Sequence, residues 1–321
     1  MLNIVLSCCL LATPEILGAE ARVNGVLVTL NEPVTDAWMN DAPWQVGGQT
    51  ITHMERSPDD RRLFLRTLTQ PVATFTVARR GGPHTVLTLK GAIARPGPDF
   101  AAATTPTEAR LDRVAPKGAL CLFVNGDTAN LVMKKDPETP LTWTVKGDAL
   151  HVTKGTGDVV SRTPLGSGHY HIEWRSPAGG DAKSQNNGNS GVKLASRYEV
   201  QIMNNAGAPW PARYNEAGSI YRIKAADKNV SLGPDRWQSY DIWYTEPVWL
   251  DGAKVADARM TVYWNGVKVH NDVLIPAKTG WSIEEGAEPM PLLLQDHHHV
   301  GTGDVCFRNV WFQPSVPAAS P

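Results

Sequence analysis

Cysteine is scarce in this 321-residue chain, with four in all, at positions 8, 9, 121 and 306. There is no CxxC and no metal-type spacing, so Cys121 and Cys306 are expected to be free thiols in apolar strands. A single disulfide joining the first and last strands of a domain is the alternative. An excess of charge of one sign is also missing. Lys and Arg total 31 against 32 Asp and Glu, for a net charge of −1, which excludes bulk electrostatic binding to nucleic acid or an anionic membrane. No run reaches the ~18 uninterrupted apolar residues of a membrane span. The chain lacks a P-loop, a GxGxxG opening a helix, a GxSxG elbow and an HExxH pair. It also lacks the Glu-x-Asp-x-x-Glu strand of paired-carboxylate sandwich glycosidases. No segment holds a helical period for twelve residues, so no helix longer than about three turns is expected.

What is there is turns and short apolar runs. Gly numbers 28 and Pro 24. Residues 1–21 open with an apolar run, Met1–Ala12, and close on Ala19-Glu20-Ala21, which has the small-x-small form of a signal-peptidase site. No Lys or Arg precedes Arg22, so the positive n-region is missing, and a buried strand is the other reading. An export signal implies a periplasmic or extracellular protein. Residues 22–92 carry strand-like runs at Val23–Leu30, Leu63–Leu68, Val72–Val77 and Thr85–Leu89, with a turn at Ser57-Pro58-Asp59-Asp60, and suggest a small Ig-like β-sandwich. The Pro/Ala/Thr-rich stretch 93–115 has no hydrophobic period and reads as a linker. Residues 116–315 hold about ten strand candidates, which argues for a larger two-sheet sandwich and an all-β fold class. Trp264-Asn265-Gly266-Val267 is a hairpin signal.

Strand alternation sorts the polar residues. In Gly168–Arg175, His169, His171, Glu173 and Arg175 share one face. In Arg197–Ile202, Arg197, Glu199 and Gln201 share one face. Leu294-Gln295-Asp296-His297-His298-His299 adds similar chemistry after a buried strand. If His297 meets Glu199 or Glu173, a divalent metal or a general base follows. Trp174, Trp237, Trp243 and Trp311 are expected in the core. Trp210, Trp249 and Trp281 lie in Pro/Gly-rich loops, where a flat ring suits the face of a sugar.

Nine motifs in order make residues 118–313 resemble the 3-keto-disaccharide hydrolase domain family. They include Ala119–Gly126, Trp143–Leu150, His171-Ile172-Glu173-Trp174-Arg175, Asn189-Ser190-Gly191-Val192 and Tyr198-Glu199-Val200-Gln201-Ile202. Gly218–Tyr221, Trp237–Ile242, Leu294-Gln295-Asp296-His297 and Phe307–Trp311 complete the series. The resemblance implies a concanavalin A-like jelly roll that cleaves glycosidic bonds in sugars already oxidised at C3. It implies a carbohydrate substrate, and a sugar 3-dehydrogenase as partner to supply the ketone.

A C3 ketone acidifies the C2 proton. A base removes that proton, the aglycone leaves from C1, and water adds to the enone. This demands one base, one enolate stabiliser and one acid. His171, Glu173 and Glu199 are the expected catalytic residues. Gln201, Gln295, Asp296, Arg308 and Trp210 are the expected substrate contacts, and Glu199 and His297 the expected metal ligands. His171, Glu173, Glu199, Gln201, Gln295 and His297 are expected to converge on one cleft. A non-catalytic carbohydrate-binding module and an adhesive surface protein are the competing readings.

Overall fold

The computed structural model of the chain describes residues 14–22, 25–40, 44–46, 49–51, 54–66, 75–79, 87–89, 93–94, 98–179, 185–205, 213–297 and 303–317. The chain divides into two compact units. One is Met1–Ala94 with Trp249–Ala256 and Val316–Pro321, and the other is Arg95–Val248 with Asp257–Ser315. Among the described residues the longest helix is Asp36–Asn40, five residues, as the lack of helical period requires.

The first unit is built from β1 (Ile16–Arg22), β2 (Gly25–Leu30), β3 (Trp44–Val46), β4 (Gln49–Ile51), β5 (Met54–Arg56), β6 (Arg62–Arg66), β7 (Phe75–Arg79) and β8 (Leu87–Leu89). They form two four-stranded sheets of order β1-β2-β6-β5 and β4-β3-β7-β8. Val26, Val28, Leu30, Leu63 and Leu65 of the first sheet share one core with Trp44, Val46 and Ile51 of the second. Ala19-Glu20-Ala21, the expected processing site, lies within β1, where Glu20 stands opposite Leu27. Cleavage after Ala21 would remove most of that edge strand.

The second unit is an antiparallel jelly-roll sandwich. Its larger sheet runs Thr144–Lys146, Ala149–His151, Cys306–Pro314, Gly168–Arg175, Gln238–Thr245, Ala258–Trp264, Val267–Ile275, with Leu120–Phe123 also paired to Cys306–Pro314. Its smaller sheet runs Leu131–Met133, Val159–Ser161, Leu293–Leu294, Ser190–Leu194, Tyr198–Ile202. The two sheets close on one core. Tyr170, Ile172, Trp174, Tyr240 and Ile242 come from the larger sheet, and Val192, Tyr198, Val200 and Ile202 from the smaller. Burial of each such side chain contributes ~1.5–3 kcal/mol. Asn265 and Gly266 turn the hairpin with φ of 50° and 77°, the backbone that an Asn-Gly turn supplies.

Two expectations change. The 98–115 part of the presumed linker is not a free tether. It lies on the outer face of the larger sheet, where Ala103 N–H donates to Gly266 O at 2.8 Å and Thr107 N–H to Asn265 O at 3.0 Å. Cys121 is exposed, not core, while Cys306 is buried, and both are free. Their strands are neighbours, but the register sets Cys121 opposite Trp311, five residues along the chain from Cys306.

Candidate functional site: two polar faces of one sandwich

Alternation and sheet membership together fix where each expected site residue stands. Tyr170, Ile172 and Trp174 face the core, so His171 and Glu173 take the outer face of the larger sheet. Tyr198, Val200 and Ile202 also face the core, so Glu199 and Gln201 take the outer face of the smaller sheet. The expected six-residue cleft is therefore overturned. The packed core separates His171 and Glu173 from Glu199 and Gln201.

On the larger sheet the polar residues form a closed ion network under residues 98–115. Asp241 is its hub. Arg110 donates to it from Nε at 3.0 Å and from Nη2 at 3.0 Å. His169 Nε2 and His171 Nδ1 reach Oδ1 at 3.0 and 2.8 Å. The other nitrogen of His171, Nε2, lies 3.3 Å from Glu173 Oε1. Bridging two carboxylates through both ring nitrogens requires an imidazolium. Burial works against that charge, but Asp241 and Glu173 outweigh it, and the His171 pKa is raised. Burial likewise works to raise the carboxyls and is outweighed. His171, His169 and Arg110 hold Asp241 well below the carboxylate range, and His171, Asn309 and Arg308 hold Glu173 down.

Glu173 is saturated. Asp112 N–H, Asn309 Nδ2 and Arg308 Nε donate to it at 2.5, 2.8 and 2.8 Å, besides His171. Arg308 also pairs with Asp112 at 2.8 Å and Asp148 at 3.2 Å and lies over the Trp237 ring at 4.5 Å. With three donors on Oε1, the Arg308 cation on Oε2 and its pKa held down, Glu173 is a poor acceptor for a substrate proton. His171, Glu173 and Arg308 fasten residues 110–113 to the sheet. Cavities of about 150 and 400 Å³ border this segment, and the charged side chains in their walls are already committed to ion pairs: Arg110 with Asp241, Arg113 with Asp99, and Arg308 with Asp112 and Asp148.

The smaller sheet is different. Lys193 stands opposite Glu199, and Gly191 opposite Gln201. Lys193 Nζ lies 3.3 Å from Glu199 Oε2, with both side chains buried. It is the one pairing partner of Glu199's carboxylate among the described residues, so this carboxylate, unlike Glu173, is not saturated. Burial raises the Glu199 pKa, Lys193 opposes the rise, and Asp158 adds to it. The carboxylate lies across Gly191, where an added Cβ would sit 2.3 Å from Oε1. Gln201 Nε2 donates to Asn189 Oδ1 at 3.0 Å. Gln295 N–H donates to Gly191 O at 3.1 Å. Leu294 belongs to the core, which sets Gln295 on the outer side beside Gly191. Its Oε1 is buried without a hydrogen-bond partner.

The NSGV, YEVQI and QDH motifs thus meet on one face. Asp296 fastens the loop there. Its Oδ2 accepts from Gly157 N–H at 3.0 Å, and its own N–H donates to Asp158 Oδ1 at 3.0 Å. His297 is half-buried at the end of the same segment. Trp210 lies outside the described residues. Lys193 escaped the sequence reading, although it is the one charged residue in the buried strand Ser190–Leu194. Asp241, the one charged residue of the buried strand Gln238–Thr245, carried the same signal.

For the metal, Glu199 and His297 are the expected ligands, a nitrogen–oxygen pair of the kind divalent cations accept. Two observations stand against a resident ion. Lys193 already occupies the cationic position on Glu199, and the described residues hold no group of three His, Cys, Asp or Glu at metal-holding geometry.

Fold and site define a class, the jelly-roll proteins that act on carbohydrates. Residues 119–313 match the family of 3-keto-alpha-glucoside-1,2-lyase-like domains, and the chain belongs to that family. A structure from Parabacteroides distasonis classed as a glycosyl hydrolase is 28% identical, with a TM-score of 0.59, covering 69% of this chain and 95% of its own. A second from the same organism and class is 17% identical, with a TM-score of 0.42, covering 61% of this chain and 93% of its own. Among curated proteins nothing matches. Family and first neighbour make the protein a glycoside-acting enzyme of the hydrolase type. No helix among the described residues is long and apolar enough to cross a membrane.

Proposed function

We propose that the protein cleaves glycosidic bonds of 3-keto-glycosides at the outer face of the smaller sheet, with Glu199 as base. The observation that carries this reading is the buried Glu199–Lys193 pair lying across Gly191. Burial raises the affinity of Glu199 for a proton, which suits a carboxylate that must take one from carbon. Glu199 removes the C2 proton, and electron density moves to the C3 oxygen. The Lys193 ammonium, 3.3 Å from the base, is the group to stabilise that enolate oxygen. The C1–oxygen bond then breaks, and the proton held by Glu199 is available to the departing oxygen. Water adds to the enone, its oxygen to C1 and its hydrogen to C2, so the net change is hydrolysis. Gln201 and Gln295 supply amide contacts for the ring hydroxyls.

The same proposal implies a sugar 3-dehydrogenase acting before this enzyme and, from the apolar Met1–Ala12 run, export to the periplasm or beyond. Incubation with a 3-keto-glucoside tests the core of it. Wild-type protein should release the aglycone, while the unoxidised glucoside should stay intact. Glu199→Gln should lose at least a hundredfold in kcat with the thermal melt still cooperative, at the low end of a general base's contribution of ~10²–10⁴. Glycan binding with no turnover would favour the carbohydrate-binding alternative.

A further inference from the structure

Trp281 is the most exposed aromatic side chain among the described residues, at 86%. An indole left in water adds little to a core, and a ring this open needs another reason to be held in place. It is held. The Arg222 guanidinium lies 5.9 Å from the Trp281 ring centroid and 5.6 Å from that of Tyr221, so one cation sits against two rings. Arg222 is itself in the left-handed region, with φ of 62°, a conformation costly for a side chain with a Cβ and frequent where a residue is presented for function. Gly280 packs so closely on Tyr221 that a Cβ there would lie 2.7 Å from its ring.

This cluster is tied to the backbone of Glu199 on both sides. Tyr221 N–H donates to Glu199 O at 3.0 Å. Glu199 N–H donates to Thr279 Oγ1 at 2.8 Å, two residues before Trp281. The segments carrying Tyr221–Arg222 and Trp281 are therefore the immediate backbone neighbours of the proposed base.

We propose that Trp281 and Arg222, backed by Tyr221, are the specificity-determining residues that bind the leaving-group ring of a 3-keto-disaccharide. The inference rests on Glu199 as the reacting centre. A pyranose has one face of C–H groups, which lies on the indole, and a rim of hydroxyls, which the five N–H donors of Arg222 reach. A simple alkyl aglycone uses neither feature. Binding energy gathered on this remote ring helps hold C2 against the base.

The test compares a 3-keto-disaccharide whose leaving group is glucose with methyl 3-keto-glucoside. In Trp281→Ala the ratio of kcat/KM for the disaccharide to that for the methyl glycoside should fall roughly three- to tenfold, the size of one aromatic stacking contact. Trp281→Phe should recover part of the ratio. An unchanged ratio in Trp281→Ala overturns the subsite. A second reading does not depend on turnover. The unoxidised disaccharide should quench more tryptophan fluorescence in wild-type protein than in Trp281→Ala, and equal quenching overturns the proposal. If wild-type protein turns over neither 3-keto substrate, the reading of Glu199 fails, while the quenching comparison still decides the subsite.

Discussion

Glu199 sits above the ordinary carboxylate pKa of 4.5 because burial outweighs the help of Lys193. Only its ionised form can take a proton, so kcat/KM should climb as pH rises through that raised value. Lys193 is the influence that holds the value down, so Lys193→Met should push the acidic limb of the profile to higher pH as well as lowering the rate. A pH–rate profile of the two proteins checks this, and a limb that stays in place would separate Lys193 from the base. At this scale the sequence was legible in part. Alternation put Glu199 with Gln201 and His171 with Glu173, and each pair does share a face. It gave no means of telling which sheet a strand joins, because alternation is a property of one strand and sheet membership is set by partners distant in sequence. The single cleft that the family resemblance implies for the six residues is divided between two sheets.

The strand Ser190–Leu194 shows how an element shapes the site. Gly191 has no side chain where the Glu199 carboxylate crosses it, and its φ lies outside the left-handed region. Alanine there meets no backbone penalty, only the end of a movable side chain. Gly191→Ala should fold with a loss of about 1 kcal/mol or less, while displacing the carboxylate and cutting kcat at least tenfold. A urea titration beside steady-state kinetics measures both, and full activity would show that the position of Glu199 is not constrained by this glycine. The strands themselves read well from the sequence. The strand read over Arg197–Ile202 is observed at Tyr198–Ile202, and the Asn265-Gly266 hairpin joins the strands its turn chemistry called for. The segment 98–115 did not read as packed. Its attachment comes from backbone N–H groups, Arg110 over the Phe100 ring at 3.7 Å and the Arg110–Asp241 pair, none of which leaves a hydrophobic period.

For the molecule as a whole, the Asp241 network links global stability to pH. The lowered pKa of Asp241 contributes stability above its unfolded value of 3.8 and loses it as pH falls through the folded value. The raised pKa of His171 contributes below 6.5 and loses its share as pH rises through the folded value. The network should stabilise most between those limits. Asp241→Asn leaves Arg110 and His171 without their buried counter-charge and should cost roughly 3 kcal/mol or more. Urea unfolding at pH 5.5 and pH 3 should show the gap to wild type narrowing at the lower pH, and a constant gap would deny the ionic origin.

The N-terminal unit is not continuous in sequence. It includes Trp249–Ala256 and Val316–Pro321, and Val316–Pro317 pairs with Ile93–Ala94. On the ribosome, then, the segment up to Ala94 is made before the sandwich and completed after it. Its sheets can begin to assemble while the sandwich is still being translated, but the ladder at Ile93–Ala94 waits for residues 316–317. A nascent chain halted at any point before residue 316 carries an incomplete N-terminal unit, however long it has had to fold.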